Sequence, residues 1–137
     1  MKTYVSDAVT FLYYMIDKLP PDSNKPFKEA ETGEAVIYLP TIAAAELFYL
    51  FDTKGWFEKQ AEMQRRMEES TDLRYYPFDR ETLLQSKKSR AKDIHDKIII
   101  ATTRVLKAEA LLTKDEEIRK LWRSKNHLVT RVETSII

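Results

Sequence analysis

The chain has no cysteine, and its only glycines are Gly33 and Gly55. Without cysteine there is no disulfide framework, no thiol nucleophile, no iron–sulfur cluster and no cysteine zinc site. Two isolated glycines cannot write a dinucleotide-binding fingerprint or a phosphate-cradling P-loop, because both need several backbone positions that only glycine tolerates. A dominant charge is missing as well: 23 Lys and Arg against 22 Asp and Glu leave a net charge of +1. That total carries no bulk signal for nucleic acid, although a near-zero sum can hide separated patches. No apolar run approaches the roughly 18 residues of a membrane span. The opening MKTYVSDAV lacks the apolar segment and cleavage site of a signal peptide. A soluble, cytoplasmic protein with no membrane partner is the expectation. A domain takes roughly 100–200 residues, so the 137 residues read as one domain, 1–137.

What is present alternates between two periods. Thr3–Ser6 reads as a short strand. AVTFLYYMIDKL places Phe11, Leu12, Met15, Ile16 and Leu19 at helical spacing. Pro20 to Asn24 reads as a loop, followed by a short polar helix near Phe27–Thr32. Ala35–Leu39 is a buried strand, and Pro40 opens a helix from Thr41 to about Phe51. Gly55 breaks the pattern before a helix from Trp56 to Glu69. Leu73–Phe78 is an edge strand, because Pro77 cannot donate to a ladder. Asp79 is placed to cap the helix after it. Asp93–Leu106 is helical, Ala108–Thr113 is a strand, a short helix runs to about Ser124, and His127–Val132 is the last strand. Strands alternating with helices imply βαβ units and a mainly parallel sheet covered on both faces.

Four carboxylates occupy telling places in this pattern. Asp7 follows the first strand and Asp115 the fourth. Ligands of open parallel sheets bind beyond the carboxyl ends of strands, so these two acids converge if their strands are neighbours. Glu46 has Ile42, Ala43, Tyr49 and Leu50 as helical neighbours, which places it on a core-facing stripe. A carboxylate there needs a buried cation, hydrogen bonds or a metal ion. Asp96 sits in the first turn of its helix, where an acid also complements the helix dipole. Taken singly, Asp7 and Asp115 read as helix caps and Asp96 as a solvated acid. Taken together, the four read as one site. Converging carboxylates need cations, and hard oxygen donors suit Mg²⁺ or Mn²⁺. A cation so held meets substrate phosphate and activates water, which makes phosphodiester hydrolysis the expected chemistry.

The segments YVSDAVTFLYYM, VIYLPTIAAAELFYLF, DIHDKIIIATTRVL and ALLTKDEEI, in that order from Tyr4 to Ile118, resemble PIN-domain ribonucleases, and among them the VapC-like toxins of prokaryotic toxin–antitoxin pairs. The resemblance implies a three-layer α/β/α sandwich with a five-stranded, mainly parallel sheet. It also implies Mg²⁺- or Mn²⁺-dependent RNA cleavage leaving 5′-phosphate and 3′-hydroxyl ends. The family's acids fall on Asp7, Glu46, Asp96 and Asp115, as metal-holding and catalytic residues. Thr113 matches the family's threonine and either orients Asp115, touches phosphate or is an ordinary strand residue. Asp93 and Glu117 are supporting acids at the rim or solvated. A homodimer and an antitoxin partner are implied too. One departure stands out: the family carries Thr or Ser directly after the first Asp, whereas Ala8 and Val9 stand here. A hydroxyl supporting the metal-holding acids then has to come from Ser6 or Thr10.

The densest basic run, Lys87, Lys88, Arg90 and Lys92, directly precedes the helix of Asp96. It is either a solvated face or a phosphate track for RNA. Tyr75, Tyr76 and Trp122 offer rings for base stacking or for packing. His95 and His127 have no partner at zinc-ligand spacing. Phe48, Tyr49, Phe51, Trp56 and Phe57 exceed what a core needs, and the excess suits an interface. Three functions follow. The first is a metal-dependent endoribonuclease, the toxin of a toxin–antitoxin pair. The second, motivated by Ala8-Val9, is an inactive PIN-like RNA-binding or scaffold module. A phospho-acceptor receiver domain is the third, and it lacks the required lysine after the last strand.

Overall fold

The structure, a computed structural model, describes residues 1–124 and 133–135. Strand β1 (Lys2–Ser6) leads into helices α1 (Ala8–Met15) and α2 (Pro21–Glu31). Strand β2 (Ala35–Pro40) is followed by α3 (Thr41–Lys54) and α4 (Phe57–Glu69), and β3 (Leu73–Tyr76) by α5 (Arg80–Ser86) and α6 (Ile94–Val105). Strand β4 (Ala110–Leu112), α7 (Glu116–Ser124) and β5 (Glu133–Ser135) complete the order. The strands pair in parallel throughout, in the order β3-β2-β1-β4-β5, with only three residues in β5. This is the α/β fold with a helix-flanked parallel sheet expected from the sequence. β3 is an edge strand, as Pro77 requires. The expected last strand at His127–Val132 lies outside the described residues, and the recorded pairing falls on Glu133–Ser135.

Chain direction across the sheet reverses at one place. From β1 the connections step through β2 to β3; the next crossover jumps back to β4 on the other side of β1. With right-handed crossovers, α1–α4 cover one face and α5–α7 the other. The carboxyl ends of β1 and β4 therefore border the switch point, where such sheets bind ligands. Their pairing, Tyr4 with Ala110, Val5 with Leu111 and Ser6 with Leu112, extends through Asp7, whose N–H donates to the Leu112 carbonyl at 3.1 Å. Register alone thus brings Asp7 beside the turn that carries Asp115.

The core is built from β-face and helix-stripe residues, with Val5, Phe11, Phe27, Ile37, Leu39, Leu47, Phe51 and Leu111 fully buried. Phe11 meets Phe27 edge-on at 6.2 Å between ring centroids. Three helix boundaries differ from the sequence expectation, each for a local reason. α1 stops at Met15 rather than Leu19. Asp17 adopts a left-handed φ of 62°, and the N–H groups of Asp17 and Lys18 bond back to the carbonyls of Tyr14 and Tyr13, closing a Schellman cap. α2 begins at Pro21, not Phe27; Pro21 takes the tolerated first position, and burial of Pro26, Phe27 and Ala30 outweighs the lost N–H of Pro26. α3 runs on to Lys54 because its closing cap needs Gly55, with φ of 70°. On α6 the buried residues are Ile98 to Thr103, while Ile94 in its first turn is 65% exposed. No described helix is long and apolar enough to cross a membrane.

Candidate active site

Asp7, Glu46, Asp96 and Asp115 line one pocket of about 250 Å³ at the switch point, together with Ala8, Val9, Ile99, Lys114 and Ile118. The four acids come from the end of β1, from α3, from α6 and from the β4–α7 turn. Their positions are set by local chemistry. Asp7 is the N-cap of α1, its Oδ1 accepting from the Thr10 N–H at 2.8 Å. Its other oxygen, Oδ2, accepts from the Thr113 hydroxyl at 2.5 Å. Thr113 is fully buried, and the same hydroxyl accepts from the Asp115 N–H at 3.0 Å. One threonine therefore ties the two strand-end acids together. Asp115 in turn caps α7, its Oδ1 accepting from the N–H groups of Glu117 and Ile118 at 2.8 and 3.3 Å.

The acids also perturb one another. Burial pushes the Asp7 carboxyl above its ordinary range, partly offset by the hydrogen bonds from Thr113 and Thr10 and reinforced by the Asp115 charge. Asp96 is pushed up from 3.8 to about 6, by desolvation first and then by the charges of Asp115, Asp93, Asp7 and Glu46. Glu46 is raised by desolvation and by Asp93 and Asp7, while His95 pulls it down. Mutual elevation of this kind marks a cluster short of positive charge.

Glu46 corrects the sequence expectation in one respect. It is not on the core-facing stripe of α3, which is Ala43, Ala44, Leu47 and Phe51. Its carboxylate is 39% exposed and sits opposite His95 Nδ1 at 3.3 Å. Tyr49, its supposed apolar neighbour, is 73% exposed. Apolar composition marks this flank because it lines a groove rather than the core. The groove, of about 600 Å³, runs between α1 and α3 and is walled by Leu12, Ile42, Tyr49 and Leu50; it shares Ala8, Val9 and Glu46 with the acidic pocket.

The remaining sequence candidates are placed as follows. Asp93 caps α6, accepting from the His95 and Asp96 N–H groups at 2.8 and 3.2 Å, and stands outside the pocket wall. Glu117 contributes its N–H to Asp115, and its carboxylate is exposed. The Ser6 hydroxyl donates to the Asp7 carbonyl at 3.0 Å rather than to a carboxylate. Thr10 is buried beside Asp7, and its Oγ1 closes no strict hydrogen bond. Lys87, Lys88, Arg90 and Lys92 are exposed on the α5–α6 loop, which the buried Ala91 and a bond from Lys97 Nζ to the Ser89 carbonyl anchor. Of the aromatic stretch, Phe51 is core, while Tyr49, Trp56 and Phe57 are exposed. The side chain of Trp122 and all of His127 fall outside the described residues. Lys114 was not singled out by sequence reasoning, nor was the pairing of His95 with Glu46. A lysine between Thr113 and Asp115 was the available signal for the first; the second joins α3 to α6 and has no local signature.

The donor set fits a hard divalent cation: several oxygen donors gather around one pocket, and the carboxyls of Asp7, Glu46 and Asp96 are raised by burial and by neighbouring carboxylates. Among the described residues no three His, Asp or Glu side chains form a ready-made cage. Mg²⁺ requires less than that, since it keeps several waters and takes one or two carboxylates directly.

Fold and site together define an acid-centred domain on a parallel sheet, with its pocket at the switch point. The PIN-domain family model matches residues 4–123, and the chain belongs to that family. Its structural neighbours agree in fold. VapBC2 from Rickettsia felis, solved bound to a DNA fragment from its promoter, aligns at a TM-score of 0.70 with 14% identity over 98% of both chains. A toxin–antitoxin complex from Klebsiella pneumoniae aligns at 0.63 with 12% identity over 94% of both. FitAcB from Neisseria gonorrhoeae aligns at 0.63 with 17% identity over 96% of both. These neighbours match the VapC-like resemblance read from the sequence. No curated protein is matched at the sequence level.

Proposed function

We propose that the chain is a divalent-metal-dependent endoribonuclease, the toxin of a toxin–antitoxin pair. The observation that carries this reading is the convergence of Asp7, Glu46, Asp96 and Asp115 on one pocket, with Asp96 pushed up to about 6 by desolvation and by its neighbours' charges. Asp7, Glu46, Asp96 and Asp115 would hold Mg²⁺ or Mn²⁺. When bound, the cation polarises phosphate and lowers the pKa of water. Thr113 fixes Asp7 and Asp115 relative to each other, which sets the donor spacing before any cation arrives. His95 restrains the Glu46 carboxylate. The exposed run Lys87, Lys88, Arg90 and Lys92 gives the RNA backbone a cationic approach to α6.

The apolar groove between α1 and α3 is the docking site for an antitoxin, a role supported by the toxin–antitoxin complexes among the structural neighbours. Exposed Trp56 and Phe57 supply apolar surface for a second copy, and the protein works as a cytoplasmic homodimer. The test is direct. Asp7→Asn and Asp96→Asn are expected to abolish Mn²⁺-dependent cleavage of RNA while the fold survives by circular dichroism. Full activity in either variant refutes the assignment. The second reading, a non-catalytic RNA-binding module, is favoured by Ala8 and Val9 on the pocket wall where the family carries a hydroxyl. A protein that binds no Mn²⁺ at millimolar concentration would support it.

A further inference from the structure

One cation lines the acidic pocket without being neutralised by it. Lys114 lies in the β4–α7 turn and forms part of the pocket wall with Asp7, Glu46, Asp96 and Asp115. Among the described residues its ammonium makes no ion pair with any of them. Its Nζ rests instead 3.9 Å from the centroid of the Tyr13 ring. A lysine surrounded by carboxylates would normally close onto one, because its four-carbon stem is flexible and its charge compact. Here an aromatic face holds the charge aside by cation–π attraction.

The supports of this arrangement are rigid. Thr113 and Asp115, on either side of Lys114, are locked by the bonds from Thr113 to Asp7 and from Asp115 N–H to Thr113. Tyr13 rides on α1, the helix that Asp7 caps. The two elements that position Asp7 and Asp115 therefore also position the ammonium, against the Tyr13 ring rather than on a carboxylate. A lysine paired with these acids would compete with a divalent ion. Held on the ring, it leaves the carboxylates free and offers a positive charge to an anion arriving at the pocket. An acidic pocket repels a polyanion, so a local cation is what such a substrate needs.

We propose that Lys114 is a phosphate-binding residue, gripping a backbone phosphate of single-stranded RNA beside the carboxylates, with Tyr13 as the positioning residue that keeps its ammonium off the acids. This rests on the ribonuclease reading above. Lysine suits the task, since it binds phosphate as a point charge without demanding a fixed fork geometry.

The experiment uses the full chain and a short fluorescein-labelled single-stranded RNA. Binding is followed by anisotropy across a salt series in an Asp96→Asn background, so that the probe stays uncut. KM and kcat are taken with Mn²⁺ in the otherwise unaltered protein, and Mn²⁺ affinity is measured by calorimetry without RNA. Lys114→Ala is expected to weaken RNA binding and raise KM roughly tenfold at low salt, the size of one charge-assisted contact. The slope of log affinity against log salt should shrink by about 0.7. Mn²⁺ affinity should stay unchanged, and Lys114→Arg should restore most of the loss. Tyr13→Leu should weaken RNA binding roughly two- to fivefold. Unaltered RNA affinity and salt slope in Lys114→Ala, with altered Mn²⁺ affinity, would make Lys114 an internal counter-ion and overturn the proposal. So would a parent protein that binds no RNA. Cleavage surviving in Asp96→Asn refutes the metal-site reading instead, and is read separately from the Lys114 binding curves.

Discussion

Asp96→Asn should make the metal-free protein more stable at neutral pH, although it removes a residue assigned to catalysis. Asp96 is raised from 3.8 to about 6 by desolvation and by Asp115, Asp93, Asp7 and Glu46. Read at 1.36 kcal/mol per pK unit, that shift sets a ceiling of about 3 kcal/mol on the cost of ionising it in the fold. The side chain is half-exposed, so solvent screening cuts the expected gain to about 1 kcal/mol. For a chain of this size that is roughly 3 °C in Tm. The sign follows from linkage. Between 3.8 and 6 the folded state holds a proton that the unfolded state has lost, so wild-type stability falls as pH rises through that window. Asparagine cannot ionise and escapes the loss. Thermal unfolding in EDTA should therefore show the two proteins nearly equal at pH 4 and the variant ahead at pH 7.5. Added Mn²⁺ should reverse the order, because a ligand that binds only the folded state stabilises it by mass action. A variant less stable at pH 7.5 in EDTA, or a gap that does not change with pH, would refute the claim that burial and neighbouring carboxylates disfavour the ionised Asp96.

Thr113→Val keeps the side-chain shape but removes the hydroxyl that donates to Asp7 Oδ2 and accepts from Asp115 N–H. We expect a loss of about 2 kcal/mol in urea unfolding at neutral pH, the scale of a hydrogen bond to a buried charge. The bond lowers the Asp7 pKa, so its contribution is present when Asp7 is ionised and shrinks as pH falls through the folded pKa; an equal loss at pH 3 would contradict this. Replacing Lys87, Lys88, Arg90 and Lys92 together by Gln should weaken RNA binding uniformly across sequences, flatten its salt dependence and leave Tm within about 1 °C, since all four are exposed.

The fold was legible because its signals are local. Asp79 and Gly55, read as a cap and a break, act as such in the structure, where Asp79 Oδ1 accepts from the Thr82 N–H at 2.8 Å. Strand order was not legible, and the site depends on it: only the pairing of β1 with β4 carries Asp7 to Asp115. Glu46 stands out in the sequence through apolar neighbours on α3, and some of these wall an open groove rather than the core. Composition does not distinguish a buried face from a groove lining. Lys114 and His95 act across elements, on Tyr13 of α1 and Glu46 of α3. Spacing along the chain holds no record of such pairs.

Cap and ligand looked like competing roles for these acids when only the sequence was considered. The structure removes the competition. A carboxylate has two oxygens and about four acceptor positions, and a helix N-terminus uses one or two. Asp115 spends Oδ1 on both of its capping bonds, and among the described residues Oδ2 accepts no hydrogen bond. Asp7 spends Oδ1 on α1 and takes the Thr113 hydroxyl on Oδ2, which keeps a further lone pair. Capping fixes the plane of each carboxylate against a rigid helix, and the unused acceptors then face the pocket in a set direction. An acid at this junction is therefore a better ligand for being a cap, because the ordering that a cation would otherwise have to impose is already supplied by the fold. The same logic explains why near-neutral net charge misleads. Three of the pocket's four acids complement helix N-termini, where negative charge is favourable. Their mutual repulsion can accumulate at one point without unfolding the chain.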